Sequence, residues 1–82
     1  MTAVVSTVDP ASRSASSWSA SLAALKSRGV PETDARIIES LAALAFWRIV
    51  RAIEGGAGVL SPPGADRLVV MLREAARGGG HA

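Results

Sequence analysis

Apolar residues recur at helical spacing in the first half of this chain. Trp18, Leu22 and Leu25 occupy positions i, i+4 and i+7, which together form one face of an α-helix. The same segment ends in basic residues, which favour the carbonyl end of a helix, and Gly29 follows as a natural stop. The pattern predicts a first helix over about residues 17–28.

Two further helices are predicted downstream. After the breaker sequence "GVPETD", the second helix runs from about Pro31 or Thr33 to Glu54, where a pair of glycines ends it. Ser61 then caps a third helix, which opens on a proline and covers about residues 62–77. The apolar stripe of this third helix contains Ala65, Leu68, Leu72 and Ala75, with Val69, Met71 and Ala76 beside it.

The second helix is apolar on two sides. A helix of that kind is normally buried on more than one side, either by neighbouring helices or by a second copy or partner. The broader side is predicted to face the core, and it consists of Ile38, Leu41, Ala42, Ala45, Phe46, Ile49 and Ile53. The roughly opposite side carries Leu44, Trp47, Arg48 and Arg51 at positions i, i+3, i+4 and i+7.

These elements predict an all-α fold. Short connections imply antiparallel neighbours, so we expect a small three-helix bundle or a helical hairpin plus one helix, over residues 17–77. Segment 1–16 is rich in Ser, Thr and Ala without an apolar period and is expected to be flexible, as is the glycine-rich tail 78–82. Asp9 and Pro10 leave an earlier helix start open, because this pair suits a cap and a first turn.

Composition and charge add few constraints. A chain of 82 residues makes one small domain of marginal stability. Nine basic and seven acidic residues alternate along the chain and give a net charge of +2, so nucleic-acid binding is possible but not favoured. The absence of cysteine is typical of a reducing compartment, and neither a signal peptide nor a membrane-spanning apolar run is visible. We expect a cytoplasmic protein.

Candidate chemistry is sparse. His81 is the single histidine and lies in the glycine-rich tail, which disfavours a positioned general base. "GGAGVLSPPG" superficially resembles a phosphate-binding loop, but it lacks the GxxxxGK[ST] and GxGxxG spacings and follows no strand. Metal ligands do not cluster along the sequence. We therefore predict no catalytic, cofactor-binding or metal-binding residues, no small-molecule substrate and no enzymatic activity.

The side of the second helix that carries Leu44, Trp47, Arg48 and Arg51 is the candidate partner-binding site. One interpretation packs Trp47 against a neighbouring helix and leaves the arginine heads in water. A second makes Trp47 and an arginine the anchors of a protein interface, where both residue types are enriched. A third uses the arginines and a stacking indole to contact nucleic acid.

Part of the chain resembles a known group of proteins. The pieces "AALKSRG", "PETDARIIE", "FWRIVRAIE" and "LSPPGADRLVVMLREA" lie within residues 23–76, about two-thirds of the chain. Their arrangement is similar to that of a loose group of small helical proteins encoded by actinobacteria and their phages, prophages and integrative elements. The resemblance implies an origin in such an element and carries over neither an activity nor catalytic residues.

The leading functional prediction is therefore a small, non-enzymatic interaction protein of a phage or mobile element. It would bind protein, through self-association and a host factor, with partner-binding residues Leu44, Trp47, Arg48 and Arg51. The alternative is a DNA-binding regulator in which the second and third helices form a divergent helix-turn-helix.

Overall fold

The computed structural model describes residues 8–78, which contain helices and no strand. A short 3₁₀ helix, Pro10–Ser12, precedes α1 (Ala15–Ser27), α2 (Ala35–Gly55) and α3 (Pro62–Ala76). The all-α prediction is confirmed. The flexible ends predicted from the sequence fall partly on residues 1–7 and 79–82, which lie outside the described residues.

Residues 10–16 differ from the sequence prediction, which placed them in a flexible segment. Residues 10–12 form the 3₁₀ helix and residues 15 and 16 open α1, so Asp9 caps a separate short helix and the first α-helix still begins at Ala15. The Asp9 carboxylate accepts a hydrogen bond from the Ala11 amide at 3.0 Å. The Ser14 hydroxyl then caps α1 by accepting from the Ser17 amide at 3.2 Å. These two bonds satisfy main-chain N–H groups at the helix starts, which have no partner within their own helix.

The turn between α1 and α2 depends on one glycine. Gly29 has φ +75, a left-handed conformation that costs other residues free energy. Its amide donates to the Lys26 carbonyl at 3.0 Å, and the Val30 amide donates to the Leu25 carbonyl at 3.1 Å. This pair of bonds is the Schellman motif that ends many helices, and it confirms Gly29 as the stop.

Helix α2 begins at Ala35, slightly later than the predicted start at about Pro31 or Thr33. Asp34 is the N-cap, and its carboxylate accepts from the Arg36 amide at 2.8 Å. The guanidinium of Arg36 also donates to both carboxylate oxygens, each at 3.1 Å. The hydrogen bond from the Arg36 side chain, followed by that from its amide, lowers the pKa of Asp34 below the ordinary value.

The hydrophobic core lies between α1 and α2 and is small. Its buried apolar residues are Trp18 and Leu25 of α1 with Ile37 and Ala43 of α2. Ser40 is also buried, and its hydroxyl donates to the main-chain carbonyl one turn earlier at 2.9 Å. Because that bond satisfies the hydroxyl, a small polar residue can lie in the core and allow the helices to approach closely.

The most buried residues of α2 do not lie on the side predicted to face the core, where Ile38, Ala45 and Phe46 are only half-buried. Leu41, Ile49 and Ile53, assigned to the core from the helical projection, are exposed. Leu44 and Trp47, on the roughly opposite side whose cover the sequence left open, are half-buried. The predicted core face was wrong because α1 and the 3₁₀ helix pack on the narrower side of α2. The C-terminal part of the broader apolar side faces α3 across an open space.

Helix α3 stands apart from the other helices. Among the described residues, no Cα of α3 comes within 8 Å of a Cα in α1 or α2. Packed helices have axes about 8–10 Å apart and bring their Cα atoms closer than this. The radius of gyration is 14.9 Å, against about 12 Å for a compact chain of this length. Of the two predicted architectures, the molecule has the helical hairpin plus one helix.

Candidate interaction surfaces

The four residues predicted to bind a partner do lie together. They line a shallow groove with the N-terminal turns of α1, because α1 packs beside this side of α2. Leu44 and Trp47 are half-buried, whereas Arg48 and Arg51 are exposed. The groove residues are Ala15, Ser16, Ser19, Leu44, Trp47, Arg48 and Arg51. Partner binding by the last four stays a prediction.

Trp47 is engaged within the chain itself. Its indole N–H donates to the main-chain oxygens of Pro10 and Arg13, both at 3.1 Å. The indole N–H of Trp18 donates to the same Pro10 oxygen at 2.9 Å. One carbonyl of the 3₁₀ helix thus ties together α1, α2 and the N-terminal segment. This arrangement matches the interpretation in which Trp47 packs internally.

Arg13 holds the N-terminal segment to α1. Its guanidinium lies 4.3 Å from the ring centroid of Trp18, a cation–π arrangement. The same group donates to the hydroxyl and carbonyl oxygens of Ser17, each at 2.9 Å, and to the Ser21 hydroxyl. Sequence reasoning missed this cluster. The available signal was the Asp9-Pro10 pair, which left an earlier helix start open.

A second surface lies on the other side of α2, and we call it the α2–α3 groove. It is an open cleft of about 340 Å³ between the C-terminal half of α2 and the N-terminal half of α3. Every residue that lines it is apolar. Its six large side chains are between 38% and 51% exposed, so they contact solvent in the isolated chain. They are Ile49, Ile53, Leu60, Leu68, Val69 and Leu72.

The loop and cap before α3 set the shape of this groove. Gly58 has φ +84, and the Leu60 amide donates to the Gly56 carbonyl at 3.0 Å, which closes the loop after α2. Ser61 caps α3 by accepting from the Gly64 amide at 3.2 Å, as the sequence predicts. The start of α3 at Pro62 is therefore confirmed, and its predicted apolar stripe turns towards α2.

The described residues offer little for other chemistry. Between residues 8 and 78, no three His, Cys, Asp or Glu side chains come together as a metal site would need. In the same range, no helix has both the length and the apolar character needed to cross a membrane. Comparison of the chain with protein-family models, with curated proteins and with solved structures finds no match.

Proposed function

We propose that this chain is a small, non-enzymatic protein that acts by binding protein, through self-association or a host protein. The observation that carries the proposal is the α2–α3 groove. It gathers six large apolar side chains on one continuous surface of a small chain. Surfaces of this kind on small proteins often mark interaction sites, because their exposure to water is unfavourable.

The lining of the groove favours a protein over other ligands. Small-molecule sites combine apolar walls with a few placed polar groups that fix the ligand's orientation. The α2–α3 groove is lined by apolar residues alone, which suits the apolar face of a helix. Nucleic acid would need basic side chains along the surface to neutralise phosphates. The groove offers none.

The proposal for the cellular setting is supported by the sequence alone. The resemblance to small helical proteins of actinobacterial phages and integrative elements supports an accessory role in such an element. A cytoplasmic location stays a prediction from the cysteine-free composition.

The alternative function, a DNA-binding regulator, receives less support. A helix-turn-helix joins its two helices by a tight turn and packs them together. Here a longer loop separates α2 from α3, and the two helices are not packed. The outer side of α3 also mixes charges of both signs, with Asp66 and Glu74 beside Arg67. A salt-dependent gel shift tests the alternative. DNA retardation that survives moderate salt and is lost in Arg48→Ala/Arg51→Ala would favour it over protein binding.

The direct test compares matched variants of the full chain. Leu68→Glu places a charge in the groove, whereas Val70→Glu places the same charge on the opposite side of α3, where Val70 is 57% exposed. Self-association measured by light scattering and protein capture from host lysate should both be scored. We expect at least one binding event that Leu68→Glu abolishes and Val70→Glu retains. A chain that neither self-associates nor captures a protein in a Leu68-dependent way contradicts the proposed function.

A further inference from the structure

Helix α3 cannot account for its own stability. It has 15 residues, opens on two prolines and a glycine, and has no packed neighbour among the described residues. Isolated helices of about 12–15 residues are marginal in water even with strong helix formers, and most helices are stabilised by packing of an apolar face. The apolar stripe of α3 is exposed to solvent. The helix therefore needs a partner along that stripe.

Resting on the proposed function, we propose that the occupant of the α2–α3 groove is α3 of a second copy of this chain, antiparallel to the first. The two copies would be related by a two-fold axis that passes near Val69. The two α3 helices and the C-terminal halves of the two α2 helices then form a four-helix core. Such a contact is self-complementary, since each copy offers the same surface and the same groove.

The total exposed surface of the large residues that line the groove is comparable with what such a dimer needs. A standard interface buries about 800 Å² per partner, of which about 60% is apolar, or ~480 Å². Six large aliphatic residues, each between 38% and 51% exposed, present on the order of 450 Å² of apolar surface per copy. One further copy is thus sufficient to cover the groove.

Charge placement on α3 selects the antiparallel orientation. Asp66 and Arg73 are seven residues apart, so they lie on the same flank of the apolar stripe. In an antiparallel two-fold pair, equivalent flanks face each other, and Asp66 of each copy lies opposite Arg73 of the other. A parallel pair would instead place this flank against the apolar flank that carries Leu68 and Ala75. Neither charged residue has an ion-pair partner within residues 8–78.

The experiment is sedimentation velocity on the full chain from about 1 μM to 1 mM, a range that covers weak and standard interfaces. We expect a concentration-dependent dimer that Leu68→Glu abolishes and Val70→Glu retains. Asp66→Arg and Arg73→Asp should each raise the dimer Kd about tenfold, because each variant turns two rim attractions into repulsions. The double variant Asp66→Arg/Arg73→Asp should return the Kd to within about threefold of wild type.

Folding of each variant can be followed separately from association. Both tryptophans lie in the α1–α2 part of the molecule, so their fluorescence reports on that core independently of α3. A wild-type chain that stays monomeric at the highest concentration overturns the inference. A dimer that still forms in Leu68→Glu overturns it too, as does a double variant Asp66→Arg/Arg73→Asp whose dimer Kd does not return towards that of wild type. A monomer that still captures a host protein through Leu68 refutes this inference and leaves the proposed function standing.

Discussion

Substitution of Trp47 by phenylalanine distinguishes an internal anchor from a partner-binding residue. The change keeps an aromatic ring beside Phe46, whose centroid lies 5.3 Å away in an edge-to-face arrangement. It removes the indole N–H that donates to the carbonyls of Pro10 and Arg13. The Pro10 carbonyl keeps its bond from Trp18, whereas the Arg13 carbonyl loses this donor. The fold should therefore be weakened where the N-terminal segment meets α2.

The size of the expected loss in stability follows from the indole N–H of Trp47, one donor that is shared between two carbonyl acceptors. A net hydrogen bond contributes about 1 kcal/mol, and a partly buried carbonyl left without its donor adds up to about 1 kcal/mol. We expect Trp47→Phe to lower the free energy of unfolding by about 1–2 kcal/mol. With a urea slope of about 1 kcal/mol per molar for a small chain, the unfolding midpoint should fall by about 1–2 M.

The assay is urea unfolding followed by circular dichroism in a Leu68→Glu background, so that self-association does not contribute to stability. Arg48→Ala is the matched control, because Arg48 lines the same shallow groove and is exposed. We expect the control to stay within about 0.5 kcal/mol of its parent. If Trp47→Phe is as stable as Arg48→Ala, the internal role is refuted, and Trp47 regains the partner-binding role that the sequence predicted.

Two further predictions concern the helix ends. The carboxyl NMR titration of Asp34 should have its midpoint below the ordinary value of 3.8. Its ionised form then stabilises the fold above pH 3.8, and this stabilisation is lost as pH falls through the lower folded pKa. Thermal unfolding of wild type should accordingly depend more steeply on pH in that window than that of Asp34→Asn. Gly29→Ala should lower the Tm by about 5–10 °C, because a side chain at φ +75 costs about 1–2 kcal/mol, whereas Gly55→Ala, in open space on α2, should raise it. Equal shifts in the two glycine variants would contradict the conformational argument.

Helix positions were predictable because their signals are local. The spacing of Trp18 and Leu25, the stop at Gly29 and the cap at Ser61 each act within a few residues, and the structure has all of them. The N-terminal 3₁₀ helix was only an open alternative. Its order depends on contacts between Pro10 and a tryptophan 37 positions away, which no local pattern contains.

The packing side of α2 was not predictable from its own sequence. A projection ranks sides by apolar content, and the broad side with Ile49 and Ile53 ranks first. The buried side instead contains Ser40 and Ala43, which score low on hydrophobicity but are small. Small side chains let a second helix approach closely, and the serine hydroxyl finds its partner within its own helix. The same side also carries the fully buried Ile37, and a helical projection measures neither residue size nor local hydrogen bonding.

The two-sided character of α2 links the fold to the proposed function. One side, which carries Ile37, Ser40, Ala43 and Trp47, packs against α1 and the 3₁₀ helix, and the resulting core has four buried apolar residues among residues 8–78. The other side holds the larger aliphatic residues, and with α3 it forms a surface that the described chain does not cover. Helix content of α3 should then rise with protein concentration, since folding of α3 and association are parts of one equilibrium. A Leu68→Glu chain should lack that dependence while its α1–α2 core stays intact.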